Sequence, residues 1–242
     1  MKEKIIHEIR DTKKLLRAVP AGAMVLFCLS VVLMNLLANK EMYTGVSWFA
    51  LDCGVLLSWL SFLCMDVLTK RFGPKAAMKV SLIAIAINLF VCAVLKIASI
   101  IPGNWGEFYT LGSDVVNQAL DNTVGGTWYV LLGSTVAMIV AAATNSILNH
   151  IIGSSMATDD FKSFAIRSYV STAAAQFVDN LLFTLLISYN FFGWSILQCV
   201  TCSLTGCLVE LVCEVVFSPL GYKISRKWEE ENVGAEYLGG AE

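Results

Sequence analysis

Charge is what this sequence has least of. Asp, Glu, Lys and Arg make up 15% of its 242 residues, against roughly 25% in a soluble domain. That scarcity excludes a water-facing surface over most of the chain. The formal net charge is −2 and no basic stripe with interleaved aromatics occurs, which excludes a nucleic-acid partner. There are two histidines, His7 in the charged N-terminal segment and His150 just past the fourth apolar run. A histidine-activated nucleophile or a histidine zinc site inside a span therefore has no residues to use. No GxxxxGKS/T phosphate loop is present, so the chain does not hydrolyse ATP by itself. No GxGD signature accompanies Asp66 or Asp179. Together these absences argue against an enzyme. Proline is also scarce: Pro20, Pro74, Pro102 and Pro219 are the four, each at the end of an apolar run, where a missing N–H does little harm.

What is there is apolar: 57% of residues are hydrophobic and the mean hydropathy is +0.68. Crossing ~30 Å of hydrocarbon takes about 20 residues. Runs of that order fall at roughly 19–38, 46–66, 78–100, 128–149, 165–189 and 193–219. The fold class expected is thus all-α: a polytopic membrane protein with six transmembrane helices. The expected organisation is a cytoplasmic N-terminal segment 1–18, a membrane domain 19–219 with an outer loop 101–127, and a cytoplasmic tail 220–242. The first run lacks an A-x-A cleavage site and ends in Asn39-Lys40-Glu41, so it reads as a retained helix rather than a signal peptide. The eight cysteines lie in or beside apolar segments and read as small buried hydrophobes. Cys199 and Cys202 form a CxxC with no second Cys or His pair beside it, so no metal is expected.

Lys and Arg counts set orientation. The N-terminal segment has six, the 67–79 connection four, and the tail three, Lys223, Arg226 and Lys227. The 150–167 segment contributes Lys162 and Arg167, whereas 101–127 has none. This alternation puts both termini in the cytoplasm of a plasma or inner membrane. In the outer loop, SDVVNQALDN suggests a short interfacial helix. The tail from about Ser225 is polar and reads as loosely ordered.

Polar residues inside the spans recur at helical spacing. Asn35 and Asn39 lie four apart, as do Asn145 and Asn149, and Glu210 and Glu214. Gln176, Asp179 and Asn180 follow at i, i+3 and i+4. Residues three or four apart share a helix face, so each helix offers a polar stripe. An ionisable group in hydrocarbon costs about 2.5–3.5 kcal/mol on insertion scales. Asp179 and Glu210 sit near mid-span without a deep Lys or Arg, so their cluster calls for a proton or a donor-rich ligand. Asp66 closes the second run, and Asp52 is expected in the outer third of that helix. Single Asn residues can also simply hydrogen-bond between helices, and Asp66 can pair with Lys70 or Arg71. Small residues in the fourth and fifth runs, such as Gly133, Ala137, Ala141 and Ala175, predict close packing there.

Four segments carry a resemblance. The first run ends N-L-L-A-N-K (Asn35 to Lys40) and the second ends M-D-V-L-T-K-R-F-G (Met65 to Gly73). The fifth reads S-T-A-A-A-Q-F-V-D-N-L-L-F (Ser171 to Phe183), and the sixth reads E-L-V-C-E-V-V-F-S-P (Glu210 to Pro219). These resemble the vitamin-uptake-like family of queuosine precursor transporters. By position the resemblance carries over Asn35, Lys40, Asp66, Gln176, Asp179, Glu214 and Pro219. The chain departs from the family pattern at Lys70, usually acidic, at Glu210, usually lysine, and at Trp59, where proline is expected.

The resemblance implies import of a small heterocyclic base: a 7-deazaguanine such as the 7-cyano or 7-aminomethyl form, or queuine. A guanine-like edge offers N–H donors that a carboxylate accepts in paired, charge-assisted bonds, and Asn or Gln can read the carbonyl side. The substrate-binding set expected is Asn35, Asp66, Asn145, Asn149, Gln176, Asp179, Asn180, Glu210 and Glu214. Phe177, Phe183 or Trp59 could stack on the base. Secondary transport driven by an ion gradient is the leading mode. The alternatives are a substrate-binding subunit serving a separate ATPase coupling module, or a carrier of another vitamin-like heterocycle. The lipid bilayer is the surrounding partner, a homodimer is left open, and no cofactor is expected.

Overall fold

The computed structural model describes residues 2–155 and 161–239; within them, the side chains of 2–5, 142, 145, 146, 149, 150, 153–155, 161–169, 171, 214 and 218 are outside the description. The protein is 83% helical. In chain order the elements are α1 (Lys2–Ala18), α2 (Ala21–Leu37), β1 (Glu41–Met42), β2 (Leu51–Asp52), α3 (Val55–Phe72), α4 (Pro74–Ile100) and α5 (Gly106–Leu111). There follow α6 (Asp114–Ser155), α7 (Phe161–Phe183), a π-helical turn (Thr184–Ser188), α8 (Tyr189–Phe191), α9 (Ile196–Glu230) and α10 (Ala235–Leu238). Each of the six expected apolar runs overlaps a helix, α2, α3, α4, α6, α7 and α9 in turn, but the second run begins ahead of α3 and the fifth continues past α7 into the π-helical turn. Among the described residues, Pro74–Ile100, Asp114–Ala141 and Ile196–Phe217 are long and apolar enough to cross a membrane. The pair α1–α2, bent by 106°, can supply a fourth crossing. The chain is a helical membrane protein.

The chain divides into two compact units, and α2, α3, α4 and α9 contribute residues to both. The first unit comprises residues 1–33, 57–88 and 213–242. Its core buries Leu15 of α1, Phe27 of α2, Leu68 and Phe72 of α3, Val80 of α4 and Tyr237 of α10. Gly73 is the single residue between α3 and α4, and its φ of 85° is a conformation that only glycine adopts cheaply. Pro74 then opens α4, where no N–H is missed. Lys79 of α4 holds α1 through Glu8 at 2.6 Å and Asp11 at 2.5 Å.

Two sequence expectations fail in this unit. Pro219 does not end its helix; α9 runs through it to Glu230. A proline inside a helix forfeits one backbone bond and bends the ladder, and here packing carries the helix past it, with Gly221 seated against Leu63 and Val67. Nor are the residues from Ser225 to Gly239 loosely ordered. After α9 the chain turns through Asn232 and Gly234, both at positive φ, and α10 tucks Tyr237 against the ring of Phe72. The Arg71 guanidinium donates to the Val233 carbonyl from Nε at 3.0 Å and Nη2 at 2.7 Å. Those contacts fix a stretch whose composition alone gives no reason to fold.

The second unit comprises residues 34–56 and 89–212. Its 46–54 stretch is apolar, yet α3 starts only at Val55. Asp52 therefore lies not in a helix but in a two-residue antiparallel ribbon, opposite Glu41, with Cys53 N donating to Lys40 O at 2.8 Å. The expected interfacial helix SDVVNQALDN is instead the first turns of α6. At ~1.5 Å per residue, the 42 residues of α6 extend about 63 Å, twice the hydrocarbon thickness. The 101–105 loop is clamped onto those early turns: Trp105 donates from its backbone to Asn117 Oδ1 at 2.7 Å and from its indole to Asp121 Oδ1 at 2.8 Å. Further along, α6 packs against α7 as the small residues predict, with Ala137, Ala141 and Ala175 buried. A methyl built on Gly133 would meet Ile187 Cδ1 at 2.3 Å.

Candidate functional site

The α7 stripe and α9 meet in the second unit. Asn180 Nδ2 donates to Gln176 O one turn back at 2.9 Å and across to Glu210 Oε2 at 3.1 Å. Gly206 permits this. It lies one turn before Glu210, and a Cβ there would stand 3.0 Å from Asn180 Oδ1 and 3.2 Å from its Cγ. Nearby, Cys207 Sγ lies 3.4 Å from the Ala173 carbonyl, a second close approach of the two helices. Gln176 and Glu210 are buried, at 5% and 3% exposure.

The chemistry of the cluster is defined by its acceptors. Gln176 Oε1 and Asp179 Oδ1 are both buried and find no hydrogen-bond partner among the described residues. Buried polar atoms are nearly always paired in native proteins, and an unpaired one costs about 1–3 kcal/mol. No Lys or Arg occurs from residue 168 to 222, so this stretch brings no cation of its own. Two acceptors without a partner among the described residues, beside an Asn–Glu pair, make a site that can receive N–H donors.

A layer of hydroxyls follows one turn along α7. Thr184 opens the π-helical turn, its Oγ1 lies 3.1 Å from Ser203 Oγ, and Ser203 donates to the Cys199 carbonyl at 2.6 Å. Sequence reasoning missed this turn, because Thr-Leu-Leu-Ile-Ser reads as ordinary apolar helix. Widened turns of this kind recur beside functional sites. Asn39 donates to Thr127 Oγ1 at 3.2 Å, and its own Oδ1 is buried with no partner among the described residues.

The other expected site residues fall as follows. Asn35 is buried in the same unit as the α7–α9 cluster, at 2% exposure. Asp66 is exposed on α3 and Glu214 follows on α9; both belong to the first unit. The side chains of Asn145, Asn149 and Glu214 lie outside the described residues. Trp59 is already stacked on Phe217, with ring centroids 4.5 Å apart. Phe183 packs against the cluster of Ala38, Val130 and Ile187. Phe177, half-buried beside Gln176 in sequence, is the expected aromatic with no such ring partner among the described residues. Outside the spanning helices, Asp52 is buried at 9% exposure and accepts from Gly54 N at 2.7 Å. Burial pushes its carboxyl up to about 6 in spite of that bond.

No curated protein and no solved structure matches the chain. A family model described as "Putative vitamin uptake transporter" matches residues 52–224, which include α3, α4, α6, α7 and most of α9. The match covers more than two thirds of the sequence and the whole α7–α9 acceptor cluster, and the chain belongs to this vitamin uptake transporter family.

Proposed function

We propose that this transporter imports a flat, N–H-rich heterocyclic base of the 7-deazaguanine type, a queuosine precursor, and binds it at the α7–α9 cluster. The observation that carries the reading is the pair of buried acceptors, Gln176 Oε1 and Asp179 Oδ1, that find no partner among the described residues. A guanine-like edge offers a ring N–H and an exocyclic NH2 side by side, the geometry a carboxylate accepts best. Gln176 Oε1 takes a third donor, and the Asn180–Glu210 pair suits an aminomethyl substituent, whose cation would sit against a carboxylate. Glu210 stands where relatives of this type carry lysine, and that exchange favours a cationic ligand over a neutral cyano one.

The six long helices span the membrane in this reading, with both termini on the cytoplasmic side as the Lys and Arg distribution directs. Transport is coupled to an ion gradient, because the chain has no phosphate loop and its carboxylate cluster can carry a proton with the substrate. Uptake of labelled 7-aminomethyl-7-deazaguanine into proteoliposomes holding only this protein tests the proposal. Accumulation that follows an imposed proton or sodium gradient supports it. Uptake that needs an added ATPase module would replace the coupling mode, and failure of all 7-deazaguanines to enter or bind would remove the substrate assignment.

A further inference from the structure

α1 belongs to the first unit and the α7–α9 cluster to the second. α1 meets α2 at 106°, so if α2 crosses the bilayer, α1 lies in the plane of its surface. The faces of α1 are sorted accordingly. Leu15 is fully buried, whereas Ile6, Ile9 and Leu16 are 55%, 63% and 44% exposed. At about 100° per residue, Ile9 and Leu16 project within about 20° of each other, and Ile6 about 60° further round. Lys13 projects between Ile6 and Ile9, and Arg17 and Arg10 lie just beyond Ile6, forming a basic rim along the apolar band.

Charge makes the rim one-sided. Glu8 and Asp11 point the other way and are held by Lys79 of α4 at 2.6 and 2.5 Å, and the Tyr237 hydroxyl also reaches Asp11 at 3.5 Å. Arg10, Lys13 and Arg17 have no carboxylate within ion-pair distance among the described residues, where the remaining ion pairs are Arg226–Glu229 and Lys227–Glu231. An exposed apolar band bordered by cations without an ion-pair partner among the described residues, on a helix lying across the end of a spanning helix, matches an interface of acyl chains topped by anionic headgroups.

We infer that α1 is an in-plane anchor that binds anionic phospholipid, with Ile6, Ile9 and Leu16 among the acyl chains and Arg10, Lys13 and Arg17 on the phosphates. The test uses the full-length protein in nanodiscs and in detergent. Bound lipid is read by native mass spectrometry after equilibration with equimolar phosphatidylglycerol and phosphatidylcholine. The wild-type protein is expected to retain phosphatidylglycerol preferentially. Arg10→Gln/Lys13→Gln/Arg17→Gln is expected to retain the two lipids equally while unfolding in phosphatidylcholine nanodiscs at the wild-type temperature. Arg10→Lys/Arg17→Lys should keep the preference, because near a membrane the charge counts more than the guanidinium shape. Absence of a preference in the wild type, or its survival in the triple Gln variant, would overturn the inference. A triple variant that is destabilised even in phosphatidylcholine would make these cations structural and overturn it as well.

Discussion

Asp179→Asn leaves the polar face of α7 its shape and removes its charge. In the fold, Asp179 Oδ1 is buried and meets no donor among the described residues, a condition that costs about 1–3 kcal/mol, and more for a charged group. The substitution therefore breaks no bond of that oxygen, and the variant should unfold at the wild-type temperature or a few degrees above. Asn180→Leu is the opposite case. Its amide donates to Gln176 O at 2.9 Å and to Glu210 Oε2 at 3.1 Å, and removing it leaves a buried carboxylate one donor short. Hydrogen bonds to charged groups contribute about 1.5–3 kcal/mol. At about 2–4 °C per kcal/mol for a chain of this size, the midpoint should fall by roughly 3–12 °C. Thermal unfolding followed by intrinsic fluorescence, with and without 7-aminomethyl-7-deazaguanine, reads both effects. Asp179→Asn is expected to keep its fold and lose both the ligand-induced shift and uptake. If Asp179→Asn loses as much stability as Asn180→Leu and still transports, the cluster is a structural hydrogen-bond network and the binding argument is wrong.

Other perturbations test other parts of the account. Asp52 is protonated in the fold at pH values where the unfolded chain ionises it, since burial lifts its carboxyl to about 6. Its contribution is complete below the unfolded value near 4 and is lost as pH rises through 6. Two units correspond to about 3 kcal/mol, so Asp52→Asn should flatten the pH dependence of the midpoint between pH 4 and 8 and raise stability at pH 8. Gly133→Leu forces a side chain where even a methyl would meet Ile187 at 2.3 Å. Overpacking costs about 1–3 kcal/mol or more, and the yield of monodisperse protein should drop while Ala137→Ser has little effect. Lys79→Met strands Asp11, whose partners are Lys79 and the Tyr237 hydroxyl. It should expose the α1–α10 junction, measured as faster hydrogen exchange in residues 6–18.

The helices that sequence reads best are those made of one thing. α4 and the middle of α6 are predominantly apolar, and Pro74 marks where α4 begins. The start of α3 was not legible, because Val46-Ser-Trp-Phe-Ala-Leu is as apolar as a helix, and the pairing with Glu41–Met42 and the Lys40–Cys53 backbone bond hold it in a ribbon. The reach of α9 past Pro219 and the docking of α10 depend on contacts with Leu63, Phe72 and Arg71 that lie far away in sequence. Within the site, the α7 stripe was visible as spacing alone. Its engagement with Glu210, thirty residues on, was not, and the clue was Gly206 one turn earlier, which only the structure shows to face Asn180. The π-helical turn leaves no compositional trace. Its widening is defined by backbone bonds, and Ile187 within it presses on Gly133.

The central claim is that the α7–α9 acceptors recognise N–H donors, and a matched ligand pair measures this most directly. Isothermal titration of the purified protein with 7-aminomethyl-7-deazaguanine and with its analogue lacking the exocyclic 2-amino group changes one donor and little else. Loss of one charge-assisted bond, about 1.5–3 kcal/mol, should weaken binding by roughly 10- to 150-fold. Asp179→Asn should bring the two ligands within a few-fold of each other. Equal binding of the pair by the wild-type protein would contradict the account.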